Sequence, residues 1–144
     1  MKAAAKILFL CTGNSCRSQM AEAYARHLVH ERWGDDHFTI LSAGIESHGK
    51  NPRAIAVMAE DGIDISTQES TRLTEEMLAD VDLIVTVCGH ADEHCPALPA
   101  TVRKLHWPLP DPARAEGSEE HIMAVFRTSR DDIRARVGQL LESL

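Results

Sequence analysis

Eight consecutive residues, Cys-Thr-Gly-Asn-Ser-Cys-Arg-Ser from Cys11 to Ser18, crowd together groups that can attack, donate hydrogen bonds and hold negative charge. They follow an apolar run, Lys6 to Leu10, and lead into a helical pattern from about Arg17 to Glu31, with Met20, Tyr24 and Leu28 at four-residue spacing. Such a loop lies at the carboxyl end of a strand, where open α/β sheets collect ligands. The following helix points unpaired N–H groups and the positive end of its dipole back into it. Gly13 is expected to let the backbone turn tightly, so that several amides converge into an anion-binding nest. Arg17 adds a planar fork of donors suited to a tetrahedral oxyanion. The same field favours thiolate over thiol at Cys11, and Ser18 can donate a hydrogen bond to that sulfur. Thr12, Gly13, Asn14, Ser15, Cys16, Arg17 and Ser18 are the candidate oxyanion cradle, with Cys11 the candidate nucleophile. The competing reading is an ordinary turn with a buried thiol. Cys-x5-Arg by itself is weak; the strand before it, the glycine within it, the serine after it and the helix beyond narrow the choice. A nucleotide-binding Walker loop is disfavoured, because no Gly-Lys-Ser/Thr occurs.

Two more loops carry chemistry. In Val-Cys-Gly-His-Ala-Asp-Glu-His-Cys-Pro, Cys88 ends a second apolar run and Cys95 follows seven residues later. Cys88, His90, His94 and Cys95 could be read as a zinc or thiophilic-metal site. The spacing is not a Cys-x2-Cys pair, however, and adjacent ligands at His94 and Cys95 are awkward for one tetrahedral centre, so no metal is expected. In Pro-Asp-Pro-Ala-Arg, Asp111 precedes Pro112: either a common turn or a loop carboxyl that serves as general acid over a bound anion.

These loops need a scaffold. Strands are expected over Lys6–Leu10, from Phe38 to about Ser42, over Val81–Val87 and, more briefly, over Arg103–Trp107. A helix follows Asn51 as cap, with Pro52 at its first position and Gly62 closing it; Thr74 caps a short helix through Ala79. The last helix begins after Ser118, with Glu119 and Glu120 at its positive end and Ile122, Val125, Phe126, Ile133, Val137, Leu140 and Leu144 as its apolar stripe. Trp33 is expected in the core, and His106 and Trp107 beneath the Asp111 loop. The remaining histidines, such as His27, His30 and His121, read as surface residues. Alternating strands and helices imply an α/β three-layer sandwich, a four-stranded parallel sheet flanked by helices. With 144 residues, 44% of them apolar, one domain over 1–144 is expected. The net charge of −7 argues against a general nucleic-acid or acidic-membrane binder, so an anion must be held by local geometry. No leader or membrane span is read from the sequence, and a cytoplasmic protein is expected. There, the four cysteines are reduced unless transient, catalytic or metal-bound.

Cys11–Ser18 resembles the phosphate-binding loop of the low-molecular-weight protein tyrosine phosphatases, a phosphotyrosine phosphatase I-like fold. The longer run Cys11–Glu22, together with Ser-Ala-Gly-Ile-Glu-Ser-His-Gly-Lys-Asn-Pro from Ser42, is similar to the arsenate reductases built on that fold and coupled to thioredoxin. This resemblance implies reduction of arsenate to arsenite, in detoxification of arsenic, by a relay of Cys11, Cys88 and Cys95. Cys11 attacks arsenate, Cys88 attacks Cys11, and Cys95 attacks Cys88, leaving a Cys88–Cys95 disulfide for thioredoxin. It also implies Arg17 as anion ligand, Asp111 as the acid and no cofactor, and a monomer is expected. Where related reductases carry a second acid before the Asp-Pro pair, this chain has Pro110. Some also bind potassium through residues matching Asn14, Glu22, Ser42 and an aspartate; Thr71 stands at the aspartate's place, which puts that site in doubt here. Cys16 is not needed by the relay and reads as structural or as a point of oxidation. The alternative implied by the same resemblance is a phosphatase using Cys11, Arg17 and Asp111, with Cys88 and Cys95 as bystanders.

Overall fold

Hydrophobic residues without interruption from Ile7 to Leu10 suit a strand covered on both faces, and in the computed structural model they form the centre of a sheet. The structure describes residues 5–14, 16–34, 38–88, 98 and 101–144. Strand β1 (Ala5–Cys11) pairs in parallel with β2 (Phe38–Gly44) on one side and with β3 (Leu83–Thr86) on the other. β3 in turn pairs in parallel with β4 (Arg103–His106), giving the order β2-β1-β3-β4. From β1 the chain goes first to one side and later to the other. The loop after β1 therefore opens at the point where the strand order reverses.

Helix α1 (Arg17–Trp33) follows that loop and packs on β1 and β2. Its first nine residues, Arg17 to Ala25, are all buried, polar ones included, so the half nearest the loop is enclosed on every side. Helix α2 (Pro52–Glu60) starts at Asn51, whose side chain accepts from the amides of Arg53 and Ala54, and Gly62 follows it at φ 77°. The short α3 (Glu75–Leu78) is capped by Thr74, and a 3-10 turn spans Pro112–Arg114. Helix α4 (Glu119–Glu142) is capped by Ser118 and lays Phe126, Ile133, Val137, Leu140 and Leu141 against α1 and α2.

Two expected core residues lie elsewhere. Trp33 is 39% exposed: it sits in the last turn of α1, edge-on to Phe38 with ring centroids 5.6 Å apart. Leu144 is 45% exposed, because α4 ends at Glu142 and Leu141 closes the core instead. Trp107 is buried and packs at 5.9 Å on Phe9, whereas His106 is exposed, its Nδ1 2.8 Å from Thr86 Oγ1.

β2 reaches two residues beyond the expected Ser42, to Gly44, which sits against the loop after β1. A Cβ at Gly44 would fall 2.2 Å from Glu46 O and 2.7 Å from Asn14 N, both backbone atoms that cannot swing away. Gly44→Ala should lower stability in urea denaturation by about 3 kcal/mol. Gly138→Ala, in α4 with open space around it, should instead raise stability by about 0.5–1 kcal/mol.

Candidate active site

Three consecutive carbonyls, beginning with the last residue of β1, are held by the chain that follows β2. Cys11 O accepts from Ile45 N (3.0 Å), Thr12 O from Glu46 N (2.8 Å) and Gly13 O from His48 N (3.0 Å). With trans peptides, turning the Thr12 and Gly13 carbonyls toward β2 turns the amides of Gly13 and Asn14 to the other side. Asn14 N indeed donates to Cys11 Sγ at 3.2 Å. The left-handed residue of the turn is Asn14, at φ 48°, rather than Gly13. Gly13 instead makes room for a neighbour: a side chain there would place its Cβ 2.4 Å from Nδ1 of His48, whose exposed ring lies on the glycine and would have to move. His48 Nε2 in turn lies 2.6 Å from Glu46 Oε2.

The nucleophile candidate sits inside a closed polar net. Cys11 is 3% exposed, and Ser18 Oγ lies 2.8 Å from its sulfur. The carboxamide of the fully buried Asn14 organises the rest. Its Nδ2 donates to Ser18 Oγ (2.8 Å) and Ser42 Oγ (3.0 Å), while its Oδ1 accepts from Thr71 N (2.7 Å) and Gln19 Nε2 (3.2 Å). Ser42 Oγ donates to Glu22 Oε1 at 2.5 Å. Cys16, at the N-cap of α1, makes no side-chain capping bond. Burial above all, with the negative Asp111 nearby, raises its thiol well above the ordinary range, only partly offset by Arg17.

Arg17 is buried at the start of α1 and reaches both other loops. Its Nη1 donates to Leu109 O (2.9 Å) and Val87 O (3.4 Å), and its Nη2 is 3.7 Å from Asp111 Oδ2. Asp111 caps the 3-10 turn through Ala113 N (3.0 Å), which leaves its other oxygen facing Arg17. Cys88 Sγ lies 3.2 Å from Thr12 Oγ1. Cys11, Cys16, Arg17, Cys88 and Asp111 thus line one cavity of about 550 Å³, together with Thr12, Gly13, His48, Ala113 and Arg114. A buried guanidinium and a sulfur that accepts from the Asn14 amide suit a tetrahedral anion under nucleophilic attack.

Of the residues singled out from sequence, Ser15 and Cys95 lie outside the described residues, as do His90 and His94 of the zinc reading. Among the described residues no three His, Cys, Asp or Glu side chains are placed to hold a metal ion. The potassium ligands also do not fit. Asn14 Oδ1, Ser42 Oγ and both Glu22 oxygens already have partners, Oε2 accepting from Arg26 Nε at 2.9 Å, and Thr71 brings no carboxylate. Sequence reasoning passed over His48 and Arg114 at the cavity rim and Gln19 behind the loop. The signal for His48 was present, two residues from Glu46 within the Ser42–Pro52 motif, but only the packing on Gly13 gives it a place.

The chain belongs to the low molecular weight phosphotyrosine protein phosphatase family, whose model matches residues 6–144. Within that class it is similar to the arsenate reductase of Halalkalibacterium halodurans, at 49% identity over 137 residues, 95% of either chain. Among solved structures it is similar to an arsenate reductase in the phosphate-binding state, at 34% identity and a TM-score of 0.76, over 96% of this chain and 98% of that one. A likeness of fold extends to a thioredoxin-dependent arsenate reductase of Corynebacterium glutamicum, 24% identical with a TM-score of 0.76. That match takes in 99% of this chain but only 62% of that protein's length.

The two thiols of the loop should react differently. Iodoacetamide at pH 8, read by peptide mass spectrometry, should modify Cys11 and spare Cys16 in the folded protein. Ser18→Ala removes one of two polar contacts to the Cys11 sulfur and should slow its alkylation about 10-fold, the worth of a hydrogen bond to a charged group.

Proposed function

We propose that this protein reduces arsenate to arsenite through Cys11, Cys88 and Cys95, with thioredoxin as the electron donor. The observation that carries the reading is the position of Cys88: a second thiol opens into the same cavity as Cys11, on the Thr12 hydroxyl. Hydrolysis of a phosphate ester has no use for a thiol there. The 49% identity to an arsenate reductase supports the same conclusion.

The steps balance as follows. The anion is bound by the loop amides and Arg17, and the Cys11 thiolate bonds to arsenic as an arsenic-bound oxygen leaves as water. Asp111, across the cavity, donates a proton to that leaving oxygen. The Cys88 thiolate then attacks Cys11 Sγ. A Cys11–Cys88 disulfide forms, and the electron pair of the broken S–As bond reduces arsenic from the +5 to the +3 state, releasing arsenite. Cys95 attacks Cys88, frees Cys11 as a thiolate and leaves a Cys88–Cys95 disulfide. A thioredoxin dithiol restores both thiols with two electrons. Exchange of this kind needs an attacking thiolate and a good leaving thiolate, and a sulfur that already faces hydrogen-bond donors leaves well.

The reading assigns a monomeric, single-domain enzyme to the cytoplasm, where reduced thioredoxin is available. Cys11 and Cys16 are free thiols, and no described helix is long and apolar enough to cross a membrane. A second reading, hydrolysis of phosphate monoesters, is supported by Cys11, Arg17 and Asp111 lining one cavity, since these three suffice for it.

Wild type with thioredoxin, thioredoxin reductase and NADPH should consume NADPH only when arsenate is added. Cys11→Ser and Cys88→Ser should release no arsenite, and Cys95→Ser should release one equivalent and stop. Sustained thioredoxin-driven turnover by Cys95→Ser would overturn the relay. Ester hydrolysis with no arsenate-dependent NADPH loss would establish the second reading. Asp111→Asn should slow p-nitrophenyl phosphate hydrolysis about 100-fold, the usual worth of a positioned acid.

A further inference from the structure

Glu22 is the one buried acidic side chain among the described residues, and it is built into the net that ends on Cys11. Its Oε1 accepts from Ser42 and its Oε2 from Arg26 Nε, at 2.9 Å. Arg26 Nη2 also donates to Ile40 O at 2.7 Å, which pins the guanidinium between α1 and β2 although the side chain is 55% exposed. We infer that Arg26 is a positioning residue: a resident cation that balances Glu22 and so holds the hydrogen-bond relay Glu22–Ser42–Asn14–Ser18–Cys11 in one direction without a bound monovalent ion.

The direction follows from what each group can give. A carboxylate only accepts, so Ser42 donates its single proton to Glu22 and offers a lone pair to Asn14. The Asn14 amide cannot be reversed, because its oxygen takes the Thr71 and Gln19 donors; both Nδ2 hydrogens therefore go to Ser42 and Ser18. A Cys11 thiolate has no proton to give, so toward it Ser18 is the donor across the 2.8 Å contact. The relay begins at a buried charge, and a buried charge without a partner is costly. Arg26 supplies the partner, one helical turn from Glu22. Removing it leaves a bare negative charge behind the loop that must hold both an anion and a thiolate.

This inference rests on Cys11 being the nucleophile of the proposed reaction, and its test needs neither arsenate nor thioredoxin. Failure of the reductase assay therefore leaves it standing, and its own failure leaves the reductase reading standing. The measurement is the rate of Cys11 alkylation by iodoacetamide at pH 7, in choline chloride and in potassium chloride. Wild type should react equally fast in both. Arg26→Met should be about 5-fold slower in choline chloride, a coupling of the size expected between linked groups, and potassium should recover part of the loss. Arg26→Lys should keep the wild-type rate. In a Glu22→Gln background, Arg26→Met should have no further effect, because no charge is left to balance. Arg26→Gln, which keeps a donor and loses only the charge, should behave as Arg26→Met and is read in its place if that variant does not fold. A potassium requirement in wild type, an undiminished rate in both uncharged variants, or an equal loss in the Glu22→Gln background would overturn the inference.

Discussion

Everything at this site depends on a single carboxamide. Asn14 has its backbone in the left-handed region, its side chain fully buried, and four partners drawn from α1, from β2 and from the segment before α3. An asparagine tolerates that φ better than most residues. Its carboxamide also donates twice and accepts twice in one plane, on a stem one methylene shorter than glutamine's. Backbone geometry and side-chain chemistry thus converge on the same residue: its main-chain amide donates to the Cys11 sulfur while its carboxamide bridges α1 and β2. A residue that met only one requirement would leave buried donors or acceptors unpaired, at about 1–3 kcal/mol each.

Arg17 is the second fixed point, and it acts by shortage. The chain is net negative, so no diffuse positive field draws an anion in. Positive charge at the cavity is local: Arg114 stands at its rim, and the buried guanidinium of Arg17 ties the chain after β3 and after β4 to the start of α1. Asp111 at 3.7 Å is its counter-charge. An anion entering the cavity competes for the same fork, and Arg17 then faces the anion and the carboxyl group together. One side chain thereby links the anion site to the Asp111 carboxyl group.

How much of this was legible in the sequence differs from element to element. The apolar runs of β1 and β3 and the capped starts of α2 and α4 are local signals, and the structure has these elements within a residue or two. The eight-residue loop also declares itself, because its chemistry lies within one stretch. Trp33 and Leu144 misled because hydrophobic type does not say where a helix stops relative to the core. Gly13 illustrates a subtler gap: glycine was anticipated, but for the turn, whereas the turn is at Asn14 and the glycine makes room for His48. A close approach between residues 35 apart leaves no periodic trace. For the same reason the buried polar half of α1 reads poorly as a helix face: Arg17, Gln19 and Glu22 serve the site, not an apolar stripe.

The difference between the two chemistries open to this fold is small in structural terms. Holding a tetrahedral anion against a sulfur requires the loop, Arg17 and the dipole end of α1, and a phosphate ester or an arsenate would use them alike. What separates the outcomes is the fate of the covalent intermediate. Attack by water at phosphorus or arsenic returns an oxyanion of unchanged oxidation state, whereas attack by a thiolate at sulfur transfers two electrons. Cys88 stands where β3 ends, beside the Thr12 hydroxyl and over the same cavity, so the second route is built into the rim and not into the loop. The parallel pairing of β1 with β3 sets the ends of those two strands side by side, so that Cys11 and Cys88 line the same cavity. A redox function thus needs no new fold, only a thiol at the neighbouring strand end and a partner sulfur able to take the disulfide away.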